Sequence, residues 1–73
     1  MNAIGTELKD AYILTTNIYE DNRGSFTESF NLREVQKIIG PYKFVQDCHS
    51  VSAKNVIRGL HYQIEHVQGK IVR

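Results

Sequence analysis

Short strand-like segments separated by turn residues dominate this sequence and leave room for only one helix. Runs rich in β-branched and aromatic side chains predict strands near residues 12–19, 25–30, 44–52, 56–63 and 69–73. Turn-forming residues lie between them, as in Glu20-Asp21-Asn22-Arg23-Gly24. Many short strands with one helix are typical of a β-sandwich or barrel, so we predict a mainly β fold.

The single helix is predicted near residues 32–39. Its apolar residues recur at helical spacing, at Leu32, Val35, Ile38 and Ile39. Asn31 suits the N-cap, and Glu34 is placed to reach back to it in a capping box. Gly40 fits a left-handed position after the last turn, and Pro41 prevents the helix from continuing.

Size and charge exclude several classes of protein. The chain has 73 residues, enough for one small domain, and its single Cys48 cannot form an internal disulfide. A lone cysteine agrees with a reducing cytoplasm. The net charge is +1 with interspersed signs, which does not favour nucleic acid as a partner. The sequence shows no membrane span and no secretory signal, so we expect a cytoplasmic protein.

Two neighbouring segments place reactive side chains close together. They are Arg58-Gly59-Leu60-His61-Tyr62-Gln63 and Gln68-Gly69-Lys70-Ile71. An imidazole can remove a proton next to a carbonyl near neutral pH. An ammonium nearby can stabilise the enolate that forms. From spacing alone, however, a half-buried strand histidine is the preferred interpretation of His61, and an ordinary exposed strand lysine is the preferred interpretation of Lys70.

Arg58 raises a geometric question. It lies three residues before His61, so a regular strand would place the two side chains on opposite faces. They converge if Gly59 allows a bulge or twist, or if Arg58 reaches around from another face. The sequence does not decide between these arrangements.

The order of several motifs resembles one family. The motifs are Asp21-x-Arg23-Gly24-x-Phe26-x-Glu28-x-Phe30, Phe44-x-Gln46, Ser50-x-Ser52, Val56-Ile57-Arg58-Gly59-Leu60-His61-Tyr62-Gln63 and Gln68-Gly69-Lys70-Ile71-Val72-Arg73. From about residue 12 onward the chain resembles the dTDP-4-dehydrorhamnose 3,5-epimerases. The Arg-Gly-Leu-His-Tyr-Gln string is highly specific for that family, whereas the Arg-Gly-x-Phe-x-Glu string is moderately so.

The resemblance implies the N-terminal part of a cupin jelly roll, usually a homodimer, in dTDP-rhamnose biosynthesis for cell-surface carbohydrate such as O antigen. It implies that His61 is the catalytic base, that Lys70 lies beside the substrate's keto oxygen and that Arg58 binds substrate. The positions that it implies contact the nucleotide are Arg23, Phe26, Glu28 and Gln46. In the family the first three of these serve the partner subunit's site. The implied reaction inverts C3, C5 or both in a dTDP-4-keto-6-deoxyhexose and needs no cofactor.

Three departures from the family pattern lower the expected activity. Cys48 stands where the family usually has an asparagine that holds the nucleotide, and a thiol is a weak hydrogen-bonding group. The loop at 64–67 is shorter than usual and lacks the common proline pair. The chain ends before the positions where the family has its histidine-orienting carboxylate and its tyrosine proton donor. We therefore expect a truncated, weakly active or inactive chain, or else a non-catalytic fragment that binds a nucleotide sugar or dimerises.

A metal site is the remaining alternative, because many cupins bind metals through histidines and a glutamate. The candidate ligands are His49, His61, Glu65 and His66. His61 and His66 have four residues between them, whereas the usual cupin signature separates two histidines by one residue. The spacing therefore does not favour a metal site.

Overall fold

A computed structural model describes all of residues 1–73, and it consists mainly of short strands with one helix. The strands are β1 (Asn2–Gly5), β2 (Tyr12–Thr15), β3 (Ile18–Asp21) and β4 (Gly24–Thr27), and the helix is α1 (Leu32–Ile39). The predicted mainly β class with one short helix is confirmed. The helix is too short and too polar to cross a membrane, and the structure contains no other.

The strands form two antiparallel hairpins in separate two-stranded sheets. In the first, β1 pairs with β2 from Asn2 opposite Thr15 to Gly5 opposite Tyr12. The sequence predicted no strand at 2–5, because this segment has few strand-forming residues and becomes a strand only by pairing with β2.

The second hairpin pairs β3 with β4. The segment predicted as one strand near 12–19 is divided between β2 and β3. The break between them is held by Thr27, whose hydroxyl donates to the backbone carbonyl of Asn17 at 2.6 Å. The same hydroxyl lies 2.8 Å from that of Thr16. These bonds satisfy polar groups where the chain leaves the first sheet.

The helix begins and ends at the predicted residues. The side-chain oxygen of Asn31 accepts a hydrogen bond from the backbone N–H of Glu34 at 3.2 Å. The second half of the predicted capping box differs, because the carboxylate of Glu34 pairs with Lys37 at 2.9 Å. Gly40 ends the helix at a φ of 99°, and its N–H donates to the carbonyl of Gln36 at 3.0 Å. This positive φ favours glycine at the end of a helix.

Burial is confined to the inner face of α1. Val35 is fully buried, with 0% exposure, and it is the only buried apolar side chain. Most other large apolar side chains lie at the surface, including both aromatic residues of the second hairpin, Tyr19 and Phe26.

The chain divides into two compact units, Met1–Lys43 and Phe44–Arg73. The second unit contains turns and bends but no helix or hydrogen-bonded strand. The segments predicted as strands near 44–52, 56–63 and 69–73 therefore pair with no neighbour in the chain. A strand exists only when its backbone groups bond to an adjacent strand, and sequence pattern alone does not supply one. Their place in a jelly-roll domain over 1–73 stays a prediction.

Candidate functional site

The second hairpin borders a concavity with a volume of about 520 Å³. Its lining residues are Tyr19, Glu20, Asp21, Arg23, Gly24, Ser25 and Phe26. Tyr19 lies directly opposite Phe26 in the register of the hairpin, so their side chains share one face. They are 61% and 70% exposed, which leaves aromatic surface available for stacking against a planar ligand.

A tight turn positions Arg23 at this surface. Asp21 pairs with Gly24, so only Asn22 and Arg23 connect the two strands. Gly24 has a φ of 130°, which side-chain-bearing residues rarely adopt. The glycine that follows Arg23 in the motif therefore has a backbone role in closing the hairpin.

Asp21 holds Arg23 through both the backbone and the side chain. Its Oδ1 accepts the backbone N–H of Arg23 at 2.8 Å. Its Oδ2 accepts two hydrogen bonds from the guanidinium of Arg23, one from Nε at 3.0 Å and one from Nη2 at 2.5 Å. These bonds, led by those from the side chain, lower the pKa of Asp21 below its ordinary value of 3.8, so the carboxylate stays ionised to more acidic pH.

Glu28 lies at a different surface from Arg23 and Phe26. It follows β4 and lines a second concavity of about 230 Å³. The other lining residues there are Met1, Thr16, Asn17, Tyr19, Asn31 and Glu34. Tyr19 borders both concavities, so the two surfaces adjoin at this residue.

The remaining predicted site residues lie in the second unit, and all of them are exposed. Arg58 donates from Nε to the hydroxyl of Ser52 at 2.6 Å, and from Nη2 to the carbonyl of Val51 at 3.4 Å. Gln46, His61 and Lys70 are all open to solvent within the second unit.

Gly59 breaks the regular backbone between Arg58 and His61. Its φ is 149°, a conformation that other residues rarely adopt. The strict alternation of a strand, which would set Arg58 and His61 on opposite faces, therefore does not apply to this segment.

Comparison with known proteins identifies the family. A model of the dTDP-4-dehydrorhamnose 3,5-epimerase family matches residues 5–73. The chain belongs to this family. The dTDP-4-dehydrorhamnose 3,5-epimerase of Escherichia coli K12 is 52% identical over 75 residues, covering 100% of this chain and 40% of the relative.

Relatives from other organisms also match over nearly all of the chain. The dTDP-4-dehydrorhamnose 3,5-epimerase of Pseudomonas aeruginosa is 46% identical, covering 100% of this chain and 41% of the relative. That of Methanothermobacter thermautotrophicus is also 46% identical, covering 96% of this chain and 38% of the relative. The chain thus spans about 40% of the length of these curated relatives. No solved structure matches the chain significantly.

Within the first unit of this epimerase-family chain, the structure places Arg23 and Phe26 at one concavity and Glu28 at the adjoining one. It also shows a partner that the sequence did not assign, the carboxylate of Asp21. The available signal was an aspartate two residues before an arginine in a turn, since aspartate commonly accepts the backbone N–H two residues later. No three histidine, cysteine, aspartate or glutamate side chains lie in a group that could hold a metal ion.

Proposed function

We propose that the chain carries part of the active site of an epimerase acting on a dTDP-4-keto-6-deoxyhexose. The reaction would invert C3, C5 or both in dTDP-rhamnose biosynthesis. The observation that carries this proposal is the family match over residues 5–73, which includes the whole Arg58–Gln63 motif and Lys70.

The proposed chemistry is proton transfer. The ketone at C4 makes the hydrogens on C3 and C5 acidic, and the imidazole of His61 removes one of them. The ammonium of Lys70 stabilises the negative charge that develops on the C4 oxygen. Return of a proton to the opposite face of the carbon inverts the centre. The sugar is neither oxidised nor reduced, so this sequence of steps requires no cofactor.

The proposed nucleotide contacts begin at the second hairpin. The exposed ring of Phe26 offers a stacking surface, and the guanidinium of Arg23 offers hydrogen bonds and positive charge to an anionic group. Glu28, Gln46 and Arg58 supply further polar contacts in this proposal. Since Arg23, Phe26 and Glu28 serve the partner subunit in the family, we propose a cytoplasmic homodimer as the working form.

Solvent-exchange kinetics test the role of His61. The chain is incubated in D2O with the dTDP-4-keto-6-deoxyhexose, and deuterium at C3 and C5 is followed by NMR. We expect His61→Asn to slow exchange by about 10² to 10⁴, the usual contribution of a general base. His66→Asn is the matched control and should leave the rate unchanged. Exchange that survives His61→Asn unaltered would refute the assignment.

Lys70 is tested in the same assay. Lys70→Met keeps much of the side-chain volume and removes the charge, so we expect exchange to slow by about 10² or more, as for loss of one enolate-stabilising group. Lys54→Met, in the turn at 54–55, is the control. Equal rates for the two variants would contradict a role for Lys70 in stabilising the enolate.

A second candidate function is binding without turnover. It is favoured by the exposure of His61 and Lys70, because a catalytic base and an enolate-stabilising cation act best in a water-excluded site. In this case the chain binds a dTDP-sugar saturably, or dimerises, while C3 and C5 exchange no faster than in buffer. Titration by NMR beside the exchange assay separates the two functions.

A further inference from the structure

The carboxylate of Asp21 restricts the only cation at the concave surface of the second hairpin. One carboxylate oxygen binds the backbone N–H of Arg23 and the other binds Nε and Nη2 of its guanidinium. Three bonds from one residue fix both the turn and the direction of the side chain. A free arginine side chain samples many rotamers, and the conformational entropy that it loses when a ligand immobilises it weakens binding.

The ion pair leaves the outer edge of the guanidinium available. The donors of Nη1 make no bond within the chain, and the arginine side chain is 86% exposed. Asp21 and Arg23 line the same concavity as the aromatic pair Tyr19 and Phe26. The free donors therefore belong to a surface that also offers rings for stacking.

We propose that Asp21 is a positioning residue, which holds the guanidinium of Arg23 ready for the anionic nucleotide of the substrate. This inference rests on the proposed function, because it takes a dTDP-sugar as the ligand. Asp21 itself does not touch the nucleotide. It acts through Arg23 by reducing the rotamer freedom that would be lost when the nucleotide binds.

A carboxylate beside an anion-binding arginine also has an opposing effect. Its negative charge repels the diphosphate, so removing the charge would strengthen binding if simple electrostatics dominated. Removing the charge of Asp21 should therefore weaken nucleotide binding if positioning dominates and strengthen it if repulsion dominates. Asp21→Asn is well suited to separate them, because its side-chain oxygen can still accept the backbone N–H of Arg23 and preserve the turn.

A double-mutant cycle with dTDP as the probe tests the inference. Affinity is measured by NMR titration for the 73-residue chain, Asp21→Asn, Arg23→Gln and the double variant. We expect Asp21→Asn to weaken binding about two- to fivefold, the range set by an exposed ion pair. In the Arg23→Gln background the same change should have no effect, since Asp21 acts only through that side chain.

Asp10→Asn is the charge-matched control, because it removes one carboxylate that has no hydrogen bond or ion pair in the chain and lines neither concavity. It should leave the affinity for dTDP unchanged. A second readout is the mobility of the Arg23 side chain in the free chain, measured by NMR relaxation of its Nε–H group. That group should become more mobile in Asp21→Asn but not in Asp10→Asn.

The outcomes separate this inference from the proposed function. Binding that is unchanged or tighter in Asp21→Asn overturns the positioning role and leaves the nucleotide-sugar function standing. Equal losses of dTDP affinity from Asp21→Asn in the unaltered and Arg23→Gln backgrounds also overturn it, because Asp21 would then not act through Arg23. No binding of dTDP to the unaltered chain at millimolar concentration overturns the proposed function and this inference together.

Discussion

The side-chain oxygen of Asn31 accepts the backbone N–H of Glu34 at 3.2 Å, and this bond defines the start of the helix. The carboxylate of Glu34 does not complete the reciprocal pair, since it bonds to Lys37 at 2.9 Å instead. The helix N-terminus therefore depends on one side chain for its cap, and the first turn is further stabilised by an ion pair along the helix surface.

Replacing Asn31 with alanine should destabilise the helix by about 1 kcal/mol, because a backbone donor loses its partner. Far-UV circular dichroism at 222 nm during a urea titration measures the change. Asn31→Asp retains a capping oxygen and should behave like the unaltered chain. Equal losses in both variants would mean that the side-chain oxygen does not cap the helix.

Acid should weaken the helix through Glu34. The hydrogen bond from Lys37, with its charge, lowers the pKa of Glu34 below the ordinary value of 4.5. A carboxylate with a lowered pKa in the folded state contributes stability that is complete above the ordinary value. That contribution is lost as pH falls through the lowered value. Helical signal should therefore fall in acid below about pH 4.5, and Lys37→Gln should reduce the size of that change.

Val35→Ala should have the largest effect on stability of any valine substitution. It removes two methyl groups from a fully buried side chain, which costs about 1–2 kcal/mol. Val45 is 90% exposed, so Val45→Ala is the matched control and should change the free energy of unfolding very little. The urea midpoints of the two variants provide the comparison. Similar midpoints would show that Val35 is not the centre of the packed region.

Cys48→Asn should strengthen binding of dTDP. Cys48 is an exposed free thiol at a position where the resemblance implies an amide that holds the nucleotide. One regained neutral hydrogen bond contributes about 0.5–1.5 kcal/mol, so we expect affinity to rise about two- to tenfold. Cys48→Ala cannot form that bond and serves as the control. If alanine improves affinity as much as asparagine, the gain does not come from hydrogen bonding.

The helix could be predicted residue by residue because its signals are local. The cap at Asn31, the apolar stripe and the terminal Gly40 all lie within or beside the segment that they define. The strand at Asn2–Gly5 was missed because its identity depends on β2, which its own residues do not reveal. The segments from residue 44 onward have strand-forming composition, but composition does not provide the neighbour that a strand requires.

The candidate site follows the same division between local and non-local information. Arg23 and Phe26 lie together because a tight turn joins β3 and β4, and the turn-forming residues of that segment predict the turn from sequence. Any approach of His61 to Lys70 depends on pairing between separate segments, which no local pattern specifies. The hydrogen bond from Arg58 to Ser52 likewise connects residues on either side of the turn at 54–55, and the sequence pattern did not predict it.

Both hairpins join strands that are immediate neighbours along the chain. Closing such short loops carries a small entropic penalty, and isolated hairpins form in about 1–10 μs. The surface that bears Arg23 and Phe26 can consequently organise early, before any slower long-range pairing reaches the histidine and lysine segments. If the proposed function holds, the hairpin proposed to contact the nucleotide would form before the segments proposed to carry out proton transfer.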